Sequence, residues 1–521
     1  MAWLRWLLWM LSVAVACYAA FVLVMRMLFP LPTLDGRTES AAMPATAQTL
    51  LGMGALAEMA AHPGKSGVLP LGNGVDAFAA RMVLARAAQA SIDARYYIWS
   101  DDLTGLLLLN ELQSAAARGV RVRLLVDDNG TRALDPELAA LDAMPTVEVR
   151  IFNPFTLRSP RLASYLFDFS RLNRRMHNKS MTVDGAVTVI GGRNIGDVYF
   201  DTGNEGLYFD LDVLALGPVV DKVGADFDAY WSSGSSYPAL SLIKPTAGGA
   251  TRLAERAATA RQSPQGRAYA KAVEKAQLAT DLAAGALQLE WTNVTLFSDD
   301  PAKGLGKETR DGLMLTQLFS AMPKAEKSLD LVSAYFIPEP QGTKFLVGLA
   351  QSGVAVTTLT NALEATDVIA VQSGYAKYRG RLVDGGVTVR ELRSESGDRK
   401  TVNDFGEIGV SSSALHAKSF AVDGKRIFIG SFNFDPRSAR LNCEMGFLIE
   451  SPTLAAGFED WMRTEVPSMS YLVRRDGEGH LVWDRTDPDG SVTTLTVEPN
   501  SSLPLRAIVT VLGWLPVEWM L

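Results

Sequence analysis

Residues 177–185 read "HNKSMTVDG" and residues 416–424 read "HAKSFAVDG". Only four histidines occur in the 521 residues, and two of them head these stretches. An offset of 239 carries His177 to His416, Lys179 to Lys418, Asp184 to Asp423, Asn194 to Asn433 and Glu205 to Glu444. Polar residues that keep one spacing mark an internal duplication. Upstream the copies match more loosely: "SIDARYYIW" (91–99) with "SLDLVSAYFIP" (328–338), "RGVRVRLLVDD" (118–128) with "SGVAVTTLTN" (352–361), and "TVEVRIFN" (146–153) with "GVTVREL" (386–392). Each copy alternates short β-rich apolar runs with helical patterns such as "LLLLNELQSAAARG" (106–119). That alternation predicts an α/β fold with a largely buried sheet. The expected architecture is therefore two pseudo-symmetric α/β/α lobes, at 67–231 and 291–465. Two long units are too few and too large for a solenoid.

The remaining segments frame this pair. Residues 232–290 open with "SSGSSYP" and continue through an Ala-, Lys- and Arg-rich stretch, which reads as a helical inter-lobe linker. Residues 466–521 form a C-terminal segment with the apolar tail "LPLRAIVTVLGWLPVEWML". That tail reads either as an element docked on the body or as an interfacial membrane contact. Residues 1–32 read as a membrane anchor. Trp6 to Met25 is a run of twenty uncharged residues, enough to span a hydrocarbon core of roughly 30 Å. Trp3, Trp6 and Trp9 gather at one end, as interfacial tryptophans do. A signal peptide has a shorter apolar region than this one. Arg5 and Arg26 flank the span and nearly balance, so the charge rule does not orient it.

Composition narrows the function classes. The net charge of −7 speaks against a general nucleic-acid binder. Two cysteines, Cys17 and Cys443, make neither a disulfide framework nor, with four scattered histidines, a zinc cluster. No metal or other cofactor is expected.

The repeated phrase carries the chemistry. Residues i and i+2 of a strand share a face, so His-x-Lys presents an imidazole beside an ammonium. Asp-Gly is a strong hairpin signal, and a two-residue loop would set His177 across from Gly192 and His416 across from Ser431. The same geometry puts Asp184 and Asp423 in the turns, where anchoring the strands is at least as good a role as catalysis. Lysine and asparagine donate to anionic oxygens, and a phosphate offers them. One histidine can attack phosphorus while the other handles protons. A phosphodiester held between two such halves accounts for the doubling. Glu205 and Glu444 are placed to fix the histidine tautomers. The run "LRSPRLASYLFDFSRLNRR" (157–175) leads into the first motif with five arginines, among them Arg174 and Arg175. It reads either as a basic, aromatic lip that meets anionic headgroups or as a solvated helix face.

"HNKSMTVD" with "GGRN", and "HAKSFAVD" with "GSFN", resemble the paired HKD motifs of the phospholipase D superfamily. "YYIWSDDLTG" (96–105), "LLVDDNG" (124–130), "RRMHNKSMTVD" (174–184) and "IGSFNFDPRSARLNCEMGFLIES" (429–451) resemble its bacterial cardiolipin synthases, the C-type branch above all. The resemblance covers roughly residues 67–465, and the sequence departs from the usual Gly-Ser before Asn at Gly192-Arg193. It implies metal-free, two-step phosphatidyl transfer through a phosphohistidine. His177 would be the nucleophile and His416 the general acid/base. Lys179, Lys418, Asp184 and Asp423 complete the implied catalytic set. Asn194, Asn433, Glu205, Glu444, Arg174 and Arg175 make up the expected substrate-binding set. The implied partners are phospholipids, phosphatidylglycerol first and phosphatidylethanolamine second, and the membrane itself. The implied location is a bacterial inner membrane, with the body on the periplasmic side, and both half-sites in one monomeric chain. A phospholipase D hydrolase and, less favoured, a nuclease of the superfamily remain open, because the acceptor enters only in the second step.

Overall fold

Runs rich in valine and isoleucine become the inner strands of two sheets, as their apolar pattern predicts. The computed structural model describes residues 2–202, 208–394, 414–487 and 489–521. Among these residues the first sheet has nine strands. Their spatial order is Glu290–Thr292, Ser66–Leu71, Asp212–Leu216, Val187–Gly191, Ser180–Val183, Ser91–Ile98, Arg121–Gly130, Val147–Phe152 and Ser236–Pro238. The second sheet repeats the pattern as Val294–Ser298, Met445–Ile449, Arg426–Gly430, Lys418–Val422, Ser328–Ser333, Ala355–Asn361 and Thr388–Leu392. It then adds Ser470–Arg475, Leu481–Thr486 and Val492–Leu495. Each sheet contains three parallel neighbours, and beside them the antiparallel hairpin that holds the repeated phrase.

The inner faces of the sheets face each other across a shared core, to which helices Pro218–Trp231 and Pro452–Thr464 add Val219, Val223, Phe458 and Trp461. Val68, Ile190, Val213 and Ala215 of the first lobe share one buried cluster with Ile427, Ile429, Met445 and Phe447 of the second. Each such side chain contributes roughly 1.5–3 kcal/mol when fully buried. The outer faces carry helices. Leu103–Ala117, capped by Asp102, buries Leu106, Leu108, Leu109 and Leu112 on the first sheet. The predicted helix over 106–119 thus starts three residues early, at its side-chain cap.

Three expectations shift. Residues 232–290 are not a free linker. Strands Ser236–Pro238 and Glu290–Thr292 close the two edges of the first sheet, and Leu253, Ala257, Tyr269, Val273 and Leu278 of the intervening helices sit in that lobe's core. The helices are three, Gly249–Gln262, Pro264–Lys275 and Gln277–Ala284. Residues after 466 extend the second sheet before the tail helix Leu503–Trp514 packs on helix Ile369–Asp384. The hairpin register also moves by one. Val183 pairs with Val187 and Val422 with Arg426, so each loop holds three residues. Asp184 and Gly185 both take positive φ, 52° and 62°, as do Asp423 and Gly424 at 55° and 59°. Gly192 and Ser431 therefore do not oppose the histidines in the ladder.

The N-terminal helix Ala2–Leu28 has 27 residues and a mean hydropathy of 2.4 in its most apolar window. It is long and apolar enough to cross a membrane, and none of its residues is buried.

Candidate active site

Each histidine hangs on the opposite lobe. The His177 N–H donates to the Cys443 carbonyl at 2.8 Å, beside a parallel bridge between Met176 and Cys443. In the other half Ala414–Leu415 pairs in parallel with Tyr208–Phe209, and the His416 N–H donates to the Phe209 carbonyl at 2.7 Å. The next residue along each borrowed strand is a carboxylate. Nδ1 of His177 lies 2.8 Å from Oε2 of Glu444, and Nδ1 of His416 lies 2.5 Å from Oδ2 of Asp210. Both carboxylates are fully buried. An Nδ1–H that donates to a carboxylate fixes the tautomer and leaves the Nε2 lone pair free to react.

The 239-residue offset points to Glu444 and to Glu205, which lies outside the described residues; Asp210 is the carboxylate that it does not reach. The cause is a difference in length. Sixteen positions separate Asn194 from Asp210, and eleven separate Asn433 from Glu444. The constant offset fails within that loop. The strands after the loop give the right match: the Gly192 N–H donates to the Leu211 carbonyl just as the Ser431 N–H donates to that of Met445. Counting back one residue from Leu211 and Met445 reaches Asp210 and Glu444.

Gly192 and Ser431 serve these carboxylates. Ser431 Oγ donates to Glu444 Oε2 at 2.5 Å. A Cβ at Gly192 would lie 2.0 Å from Asp210 Oδ1. The longer Glu takes a serine hydroxyl, and the shorter Asp occupies the space that a side chain would need.

Both lysines are buried. Lys179 Nζ donates to the His177 carbonyl at 2.6 Å, and Lys418 Nζ donates to that of His416 while lying 2.9 Å from its Nδ1. The asparagine amides are oriented by backbone N–H groups: Ile98 donates to Asn194 Oδ1 at 3.1 Å, and Tyr335 to Asn433 Oδ1 at 3.3 Å. Asn194 also donates to Tyr199 Oη at 3.0 Å. Aromatic walls flank the imidazoles. Tyr97 stands 5.1 Å from His177, and Tyr199 and Tyr208 each stand 5.1 Å from His416. Tyr97 comes from strand Ser91–Ile98, Tyr208 from the borrowed strand and Tyr199 from the loop after Asn194.

Four basic groups crowd this buried space. Burial, then Lys179, Lys418 and His416, hold His177 well below the usual histidine range. Burial and Lys418 lower His416 to about 4, against the pull of Asp210. Burial also depresses both lysines, with Lys418 adding its repulsion at Lys179. Burial pushes Asp210 up, but His416 and Lys418 outweigh it and hold it below the carboxylate range. Glu444 is instead raised, because burial exceeds the help from Lys179. Such a site is short of one anion, and a phosphodiester supplies it.

Other candidates lie elsewhere. Asp184 accepts the backbone N–H groups of Gln89, Ala90 and Ser91, and Asp423 those of Glu326, Lys327 and Ser328. Both tie the hairpin turn to the neighbouring strand, so the catalytic place implied for them is corrected to an anchoring one. Arg175 is buried on Asp127 at 2.9 Å, which removes it from the substrate-binding set. Arg174 is half-buried, donates to the Ser170 carbonyl and lies against Gly306. Of the remaining lip arginines, Arg158 and Arg161 pair with Asp128 and Asp135, and Arg171 with Asp168. Arg158, Arg161, Arg171 and Arg175 are thus engaged in internal ion pairs, so the stretch is not a free basic lip, while its Leu162, Leu166 and Phe169 stay exposed. Arg193, the departure from Gly-Ser, is buried and donates to the carbonyls of Leu71, Gly72 and Tyr199. It thereby steadies the loop that places Tyr199 beside His416. Asp299 accepts the Glu444 N–H at 2.8 Å and Lys303 Nζ at 2.8 Å, and so holds the carboxylate's backbone.

The family model "Cardiolipin synthase, PLD-like domain" matches residues 83–231 and 318–465. The chain is 45% identical to cardiolipin synthase C of Escherichia coli (strain K12) over 460 residues, covering 88% of this chain and 97% of that protein. It is 28% identical to a cardiolipin synthase of Geobacillus thermodenitrificans over 379 residues, covering 72% of this chain and 61% of that one. Its fold is like that of phosphatidylserine synthase from Haemophilus influenzae Rd KW20, with a TM-score of 0.56, 14% identity, and coverage of 90% of this chain and 100% of that one. With two matched PLD-like repeats and a relative aligned almost end to end, the chain belongs to the cardiolipin synthase family of phospholipase D-like proteins.

Proposed function

We propose that this chain is a membrane-bound phosphatidyltransferase that makes cardiolipin at the site between its lobes. The observation that carries the reading is the crossed pairing of two imidazoles with buried carboxylates, between two buried lysines. Nε2 of His177 attacks the phosphorus of a phospholipid. A P–N bond forms, the P–O bond to the headgroup alcohol breaks, and that oxygen takes the Nε2 proton of His416, which the bound phosphate anion and Asp210 hold as an imidazolium in the substrate complex. The acceptor hydroxyl then gives its proton back to His416 Nε2 and attacks the phosphorus. The P–N bond breaks, and its electron pair returns to His177. Lys179, Lys418, Asn194 and Asn433 hold the non-bridging oxygens, where they meet the charge that develops.

The electrostatic difference between the halves supports this order of roles. Burial and Lys179 hold His177 well below the usual histidine range, so its lone pair is available for attack. His416 faces a carboxylate kept anionic, which supports an imidazolium when it forms. Phosphatidylglycerol is the expected donor and acceptor, with phosphatidylethanolamine a second donor. One chain supplies both half-sites, with the body on the periplasmic side.

The test is lipid mass spectrometry on membranes that lack other cardiolipin-making enzymes, with His177→Ala and His416→Ala as controls. Cardiolipin should appear only with both histidines intact. Phosphatidic acid rising alone would replace the transferase with a hydrolase. A phosphohistidine preserved by an alkaline denaturing quench should vanish in His177→Ala. Its loss only in His416→Ala would reverse the roles.

A further inference from the structure

The helix Tyr165–Leu172 lies against the C-terminal half of the N-terminal apolar helix. Tyr18 Oη donates to the Leu166 carbonyl at 3.0 Å, and Arg26 donates to the Phe167 carbonyl at 3.1 Å while pairing with Asp168. Tyr18 and Arg26 stand eight residues apart, about 12 Å along a helix that rises 1.5 Å per residue. Half of a bilayer core is roughly 15 Å. A body attached at both points is not suspended above the membrane. It is pinned at the level of the acyl chains of one leaflet.

The surface at that level fits such a position. Leu162 and Leu166 are each 60% exposed and Phe169 is 42% exposed. Trp519 reaches the same patch from the tail, its ring 6.5 Å from that of Phe169, and Trp514 is 77% exposed on the tail helix. A contiguous apolar patch of this kind is uncommon on a surface that meets water. Tryptophans at its edge suit the headgroup boundary. The patch also adjoins the chemistry. Arg437 donates to Asn173 and to the Met520 carbonyl, joining the end of the helix to the tail, and His177 follows Leu172 by five residues.

We infer that residues 161–172, with Trp519, form a lip sunk into the leaflet on the C-terminal side of the N-terminal span, so that a phospholipid beside the lip presents its phosphate to His177 without leaving the bilayer. The occupant of the patch is the lipid leaflet itself. The inference rests on the membrane-bound reading, and one labelling experiment separates the two. Full-length protein carrying Cys17→Ser is placed in nanodiscs of phosphatidylglycerol and phosphatidylethanolamine, and the remaining Cys443 is fully buried. Nitroxide labels are attached at Leu166→Cys, at Val15→Cys within the span, and at the exposed Glu478→Cys. The label at 166 should collide with oxygen in preference to a water-soluble nickel complex, as the label at 15 does, and the label at 478 should show the reverse. Lipid character at 15 with water character at 166 overturns the lip and leaves the span. Water character at both overturns the span as well. As a second measurement, Leu162→Glu with Leu166→Glu should reduce turnover of bilayer lipid about tenfold or more, because it removes apolar insertion. A soluble short-chain phosphodiester should be turned over as before. Equal effects on the two substrates would overturn the inference.

Discussion

The two half-sites meet one requirement with different parts. In one, Glu444 reaches His177 and receives the Ser431 hydroxyl. In the other, Asp210 reaches His416, and a glycine leaves room for it. The carboxylate one methylene shorter is also the one kept anionic, while the longer one is raised by burial. Duplication thus preserved the imidazole geometry and let the electrostatics diverge. That divergence supports the unequal tasks proposed for the two histidines.

The sharpest way to break this comparison is to neutralise each carboxylate. Glu444→Gln and Asp210→Asn should each lower transfer by a factor on the order of 10²–10⁴, because an amide can turn the imidazole to the wrong tautomer. The defects should differ in kind. Glu444→Gln should give no phosphohistidine. Asp210→Asn should accumulate it, since His416 then lacks the base needed in the second step. Rapid alkaline quench with phosphorus-labelled lipid separates the two, and accumulation in the first variant would reverse the assignment.

A pH titration of stability comes next. His416 is lowered from 6.5 to about 4 by burial and Lys418. The unfolded chain takes up that proton first, so the share of stability due to His416 is lost as pH drops from about 6.5 to about 4, on top of a loss of the same sign from His177. The His416 share is on the order of 3 kcal/mol. Inorganic phosphate should flatten the loss by supplying an anion, and His416→Gln should make its slope shallower. Calorimetric melting with and without phosphate measures this. An identical pH slope in parent and variant would show that His416 is not buried as described.

The smallest effects are steric. Gly192→Ser should cost about 1–3 kcal/mol, because its Cβ meets Asp210 and the site is already packed. Ser431→Gly should cost about 1 kcal/mol for the lost hydrogen bond to Glu444. Denaturant melts compare the two, and equal costs would contradict the difference in spacing.

Much of this is legible in the amino-acid order alone. The 239-residue offset locates both His-x-Lys pairs, both asparagines and Glu444, because strands hold side chains at fixed intervals. The α/β lobes follow from the same alternation. The offset fails where the chain leaves the sheet: five extra residues before Asp210 break the count. The tyrosines around His416 come from that loop and from a borrowed strand, so no repeat can announce them. The arginines of 157–175 look like a surface feature because partners such as Asp127 and Asp128 lie thirty or more positions upstream. The segment 232–290 reads as a linker because composition shows helices but not what they pack against.

The crossing of the carboxylates also has a consequence in time. His177 and Glu444 are 267 positions apart, and Asp210 and His416 are 206 apart. A ribosome releases His177 long before the residue that orients it, and contacts this distant form late in folding. Neither imidazole has its tautomer fixed until the second lobe has docked on the first. Only that docking, which joins residues more than two hundred positions apart, completes either half-site.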